Sequence, residues 1–192
     1  ISDLHIGGDE ITDNFDCSDE LIDFLYYLDS KNEDCELIIL GDFFDFWKLD
    51  QDREDLAKFI INQHSELFDE FKKFGAKHQI TAIPGNHDHA LLYKPHYQEN
   101  LKQYNIHVDK NQFFEREFKN KDKIFRIIGE HGNQVEPVCG FPDFNAPTDS
   151  SFSYHNYQII VKKIMKFGTQ KKRPKWLASL DNVDIGLIPY WV

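Results

Sequence analysis

The stretch Gln79-Ile80-Thr81-Ala82-Ile83-Pro84-Gly85-Asn86-His87-Asp88 decides how this chain is read. Ile80 to Ile83 is a β-type run, and it stops at Pro84-Gly85. Asn86, His87 and Asp88 then follow without a spacer. Such a strand delivers polar groups to the C-terminal edge of a sheet, where open α/β folds place their sites. The pattern recurs. Leu37-Ile38-Ile39-Leu40 runs into Gly41-Asp42, and Ile124 to Ile128 runs into Gly129-Glu130-His131-Gly132. Ile1-Ser2-Asp3-Leu4-His5 reads as a fourth polar strand end. Asp3, His5, Asp42, Asn86, His87 and His131 at four such ends point to one shared metal site.

The donor chemistry narrows the metal. In an extended strand the D-x-H spacing sends Asp3 and His5 to one side, where both can grip one ion. Asp42 has two carboxylate oxygens and can bridge two ions. Asn86 offers an amide oxygen and His131 an imidazole. Mixed oxygen and nitrogen donors suit Mn, Fe or Zn rather than thiolate chemistry. Two such ions hold the attacking and leaving oxygens of a phosphoryl displacement.

In this order, SDLHIGG, LGDFFDFW, PGNHD and GEHGN resemble successive blocks of the calcineurin-like metallophosphoesterase superfamily. The resemblance spans Ile1 to Asn133. It implies an α/β fold of the αββα sandwich type with a helical insertion after the fourth block. It also implies two divalent ions, manganese first, with Fe, Zn or Ni as alternatives. Asp3 and His5 would bind the first ion, Asp42 would bridge, and Asn86 and His131 would bind the second. His87 would stand over the leaving group as proton donor or charge stabiliser. Asp45 would orient it, with Asp88 as the alternative. The implied reaction is hydrolysis of a phosphodiester, phosphomonoester or pyrophosphate by metal-bound hydroxide. The blocks look most similar to UDP-2,3-diacylglucosamine hydrolases, although the best-known of those have Arg where His87 stands. The superfamily's late G-H-x-H block has no counterpart, since His155 is the only histidine after His131; the block is expected beyond Val192. A non-catalytic scaffold and a nuclease are the alternative readings.

The remaining sequence sets bounds. At 192 residues one domain is the default, and a net charge of −11 disfavours a nucleic-acid surface. The partner expected is a small phosphorylated substrate, with a nucleotide-lipid among the candidates, and no partner protein is inferable. Cys17, Cys35 and Cys139 show no paired spacing, which fits a reducing compartment. With no apolar run of membrane length, a cytoplasmic location is expected, with contact to the inner membrane face through Lys171-Lys172-Arg173 as an option. The division expected is a core over 1–138, a helical cap over 139–182 and a return to the core sheet over 183–192, with the chain cut at both ends.

Helices are expected from Ser18, over Asp55 to Phe74 as one long element ending at Gly75, from Pro95 to about Tyr104, and over Tyr154 to Phe167. A further short helix is expected from Pro174 to Leu180. Phe43, Phe44, Phe46 and Trp47 read as core packing rather than as a substrate cleft. Tyr154, Ile159, Ile160 and Ile164 read as a packing stripe. His89 is a candidate substrate contact beside Asn86 and His87. His64, His78, His96 and His107 read as solvated.

Overall fold

The computed structural model describes residues 1–9, 12–31, 34–146 and 150–161. The chain divides into two compact units, Ile1–His131 and Gly132–Val192. The first is a mixed α/β unit holding a parallel sheet in the order β1-β2-β3, with β1 at Glu36–Leu40, β2 at Gln79–Ile83 and β3 at Ile106–Val108. Leu37 pairs with Ile80 and Ile80 with Ile106. Parallel neighbours need a crossover between them. Helices α2 (Leu56–Gln63) and α3 (Ser65–Gly75) connect β1 to β2, and α4 (Pro95–Lys102) connects β2 to β3. The central position of β2 explains why Ile80 to Ile83 are all buried.

Helix α1 (Ser18–Asp29) has Asp19 and Glu20 in its first turn, against the positive helix end, and buries Leu21 and Leu25. Asp55 caps α2 by accepting the Lys58 N–H at 2.9 Å. The core is built from rings. Phe43 stacks on Phe44 with centroids 4.7 Å apart, and Phe68 and Phe71 of α3 close over Phe43.

The long helix expected over Asp55 to Phe74 is instead two helices that meet at His64, where φ is −111° and ψ is 36°. The cause is distant in sequence. His64 Nε2 lies 2.8 Å from Asp13 Oδ2, and the Phe15 ring meets the imidazole edge-on. His64 is therefore anchored rather than solvated, and so is His78, whose Nε2 is 3.2 Å from Asp29 Oδ1.

Strands β4 (Phe113–Asn120) and β5 (Lys123–Glu130) form an antiparallel hairpin. Lys121 turns it, with φ at 54°. Arg116 on β4 fixes the hairpin to the parallel sheet by a bidentate pair with Glu36, at 2.9 and 2.6 Å. Glu36 also accepts the Thr81 hydroxyl at 2.9 Å, so one carboxylate ties β1, β2 and β4.

In the second unit, α5 (Phe152–Asn156) is capped by the Ser151 hydroxyl and runs into a wider turn over Tyr157–Val161. Tyr157 is buried, but Ile159 and Ile160 are exposed, so the expected packing stripe is absent among the described residues. Ile164, the basic run 171–173 and the helix expected from Pro174 lie outside the described residues.

Candidate metal centre

The chain's first residues lie alongside β1 and the loop after it. Leu40 N–H donates to Ile1 O at 2.8 Å, Asp3 N–H to Gly41 O at 3.1 Å, and His5 N–H to Asp42 O at 2.9 Å. This brings Asp3 and His5 to Asp42, two residues past the end of β1. The expected extended D-x-H geometry is not what does it. Asp3, His5 and Asp42 have φ of 55°, 50° and 52°, in the left-handed region that L-residues enter at a cost. Among the described residues only Asn105 and Lys121 are other non-glycine cases, so the strain concentrates at the donors.

Two glycines let the segments close up. Gly41 has φ of 83°, and a Cβ there would overlap the His131 ring. A Cβ on Gly85 would overlap the Asp42 carboxylate.

Asp42 is the shared donor. Its Oδ2 lies 3.2 Å from His131 Nε2 and 3.6 Å from His5 Nε2, and its Oδ1 accepts the His87 N–H at 2.9 Å. His131 Nε2 is also 3.3 Å from Asn86 Oδ1. The other ring nitrogen, Nδ1, is 3.1 Å from Leu40 O, so a hydrogen bond to that carbonyl leaves Nε2 for the centre. Two groups of potential ligand atoms result, each within 4.8 Å: Asp3 with Asp42 and His131, and His5 with Asp42 and His87. The sequence reading joined Asp3 and His5 on one ion and kept His87 off both. The structure gathers all six side chains but groups Asp3 with His131 and His5 with His87. An all oxygen and nitrogen set with one shared carboxylate fits a pair of divalent ions.

The donors shift one another's ionisation. Burial raises the Asp42 carboxyl pKa, but the hydrogen bond from His131 and the nearby His87 and His5 bring it below the usual range. Burial lowers His131, but Asp42, with Asp3 and Asp88 beyond it, pushes it up to about 9. Burial acts the same way on His5, and Asp45 and Asp42 again reverse it to a net rise.

His87 is held on three sides. Its Nδ1 is 2.9 Å from Asp45 Oδ1, its face stacks on Trp47 with centroids 3.7 Å apart, and the His5 ring meets it edge-on at 4.5 Å. Asp45 is in turn 3.1 Å from Lys48 Nζ and 3.4 Å from His5 Nδ1 through its other oxygen. Burial opposes ionisation of Asp45, yet His87, His5 and Lys48 hold its carboxyl well below the usual range.

Asp88 has a different job from the orienting role considered for it. It is fully buried and accepts Gly85 N–H at 2.7 Å on one oxygen, and Phe43 and Phe44 N–H at 2.8 and 3.3 Å on the other. It therefore locks the loop after β2 to the loop after β1. His89 is buried and packs edge-on against Tyr93, in neither donor group. Phe43, Phe44 and Phe46 are core, as their density suggested. Trp47 is buried too, but against His87, and Lys48 was not anticipated. Their positions two and three residues after Asp45 gave no pattern to read.

A search among curated proteins returns no match to the chain. The family model described as calcineurin-like phosphoesterase matches residues 1–183, across every segment that contributes to this centre. Family match and convergent donors agree, and the chain belongs to the calcineurin-like phosphoesterases.

Proposed function

We propose that this chain carries the dinuclear centre of a hydrolase acting on a small phosphate ester, with a nucleotide diphosphate ester as the substrate class. The supporting observation is Asp42, whose carboxylate belongs to two donor groups at once. Asp3, His5, Asp42, Asn86 and His131 are the residues that would hold two divalent ions, manganese first. When bound, such ions supply a nucleophile at neutral pH and neutralise charge on the phosphoryl group.

The chain's own residues do the rest. Asp42 fixes the spacing of the two positions. Asp45 accepts from His87 Nδ1–H, so that Nε2 is the nitrogen left to face substrate and pass a proton to the departing oxygen. Trp47 excludes water from one face of that imidazole. The diphosphate ester assignment rests on the likeness of SDLHIGG and GDFFDFW to the UDP-2,3-diacylglucosamine hydrolases. The test is hydrolysis of bis-p-nitrophenyl phosphate and of UDP-linked sugar esters by the chain's full encoded protein with manganese. Turnover that disappears in Asp42→Asn and is restored by no metal supports the reading. Inertness with manganese, iron, zinc and nickel alike overturns it.

A further inference from the structure

The first unit also holds a concave site, at the opposite edge of the parallel sheet from Asp42. It is a cavity of about 550 Å³ between the end of α3, the start of β2, α4 and β3. That size lies within the range of small-molecule pockets. Strand β2 runs from this cavity at Gln79 and Ile80 to the metal centre beyond Ile83, a separation of about 15 Å at the ordinary rise per residue.

Three features of its lining point to a ligand. The charge is inverted relative to the chain. Among the described residues Lys102 and Lys110 line the cavity beside His78 and His107, with one carboxylate, that of Glu99, in a protein of net charge −11. The Glu99–Lys102 pair, 3.8 Å apart and exposed, offsets that charge only weakly. Second, Ile80, Ile106 and Val108 supply a buried apolar floor. Third, the His78 side chain is 8% exposed, and its Nδ1 is buried with no hydrogen-bond partner among the described residues, while Nε2 is spent on Asp29. A buried polar nitrogen left without a partner is uncommon and asks for one.

We propose that this cavity binds a phosphoryl-bearing small molecule of mononucleotide size, with Lys102, Lys110 and His107 taking the anion and the apolar floor taking its body. Two lysines at the rim of an acidic protein attract an oxyanion by charge, and the His107 imidazole can donate a hydrogen bond to it. The floor separates a nucleotide from bare phosphate. The site needs no metal and is independent of the reaction proposed at Asp42.

Calorimetric titration of the full chain with AMP, adenosine and inorganic phosphate, under a chelator, tests this. AMP is expected to bind in the range of about 0.1 to 1 mM, phosphate more weakly and adenosine weakest. Lys102→Ala with Lys110→Ala changes two exposed side chains and should weaken AMP at least about tenfold. His78→Phe, which keeps a ring against Phe74, should weaken it severalfold. Asp42→Asn should leave it unchanged. No binding of AMP or phosphate, equal binding of adenosine and AMP, or loss in Asp42→Asn with retention in the lysine variant would each overturn the proposal.

Discussion

Trp47 and His87 are stacked face to face, with ring centroids 3.7 Å apart and planes 18° from parallel. Only 4% of Trp47 is exposed, so its free surface is not a platform for substrate. Its effect is on the imidazole. Trp47→Phe should retain most of the turnover, whereas Trp47→Leu removes the flat wall and lets His87 turn. A fall in kcat of about tenfold with KM little changed is expected for the leucine variant, measured by steady-state kinetics beside its melting temperature. A change confined to KM would place Trp47 on the substrate instead.

Asp45 sits between His87 and Lys48. Asp45→Asn keeps the shape but can present its amide N–H to His87 Nδ1, which selects the wrong tautomer. His87→Ala should lower kcat by about 10² to 10⁴. Asp45→Asn should lower it by a smaller factor, and the double variant should be no worse than His87→Ala alone. Additive losses in this cycle would show that the two side chains act separately.

At His131 Nε2 a metal competes with a proton. The His131 pKa, about 9 in the folded protein against the ordinary 6.5, means that its pairing with Asp42 stabilises fully below pH 6.5. That contribution, on the order of 3 kcal/mol, is lost as pH rises through 9. Chelated protein should therefore lose stability between pH 6.5 and 9, and His131→Ala should lose less over that interval. Manganese affinity should rise across the same interval, because Nε2 sheds its proton to bind. Denaturation and metal titrations at a series of pH values measure both.

Asp88 reports on the loop lock. Burial, and then the charge of Asp42, raise its pKa to about 6 from 3.8, despite the three backbone N–H groups that it accepts. A raised acid is more stable protonated in the fold, so its contribution is complete below pH 3.8 and declines as pH climbs through 6. The difference in stability between the parent and Asp88→Asn should therefore change between pH 4 and 6 and level off above. Asp88→Ala leaves all three N–H groups buried without an acceptor and should cost about 3 kcal/mol or more, read from urea denaturation.

The strand ends were legible because their signal is local: an apolar run, a glycine, then a donor. Leu37–Leu40 and Ile80–Ile83 fall within β1 and β2, and Asp42, Asn86 and His131 follow the strands that the apolar runs marked. What escaped depends on partners remote in sequence. The break at His64 needs Asp13, 51 residues away, and nothing in the periodicity of 55–74 announces it. The left-handed backbone of Asp3 and His5 follows from hydrogen bonds to the loop at 41–42, not from the residues themselves. Trp47 could be recognised as buried but not as the neighbour of His87, because aromatic density alone does not tell a core ring from a ring at a reactive group. The exposed Ile159 and Ile160 show the same limit in reverse: apolar spacing offered a buried face that those two residues do not have.

The left-handed turns at Asp3, His5 and Asp42 set heat resistance against chemistry. A glycine enters that conformation freely, while each of these residues forfeits about 1 kcal/mol by doing so. Asp3→Gly should consequently melt about 2 to 4 °C higher under a chelator, as a calorimetric scan would show, while binding manganese less well. Selection for survival at high temperature alone would thus erode the very side chains proposed to hold the metals.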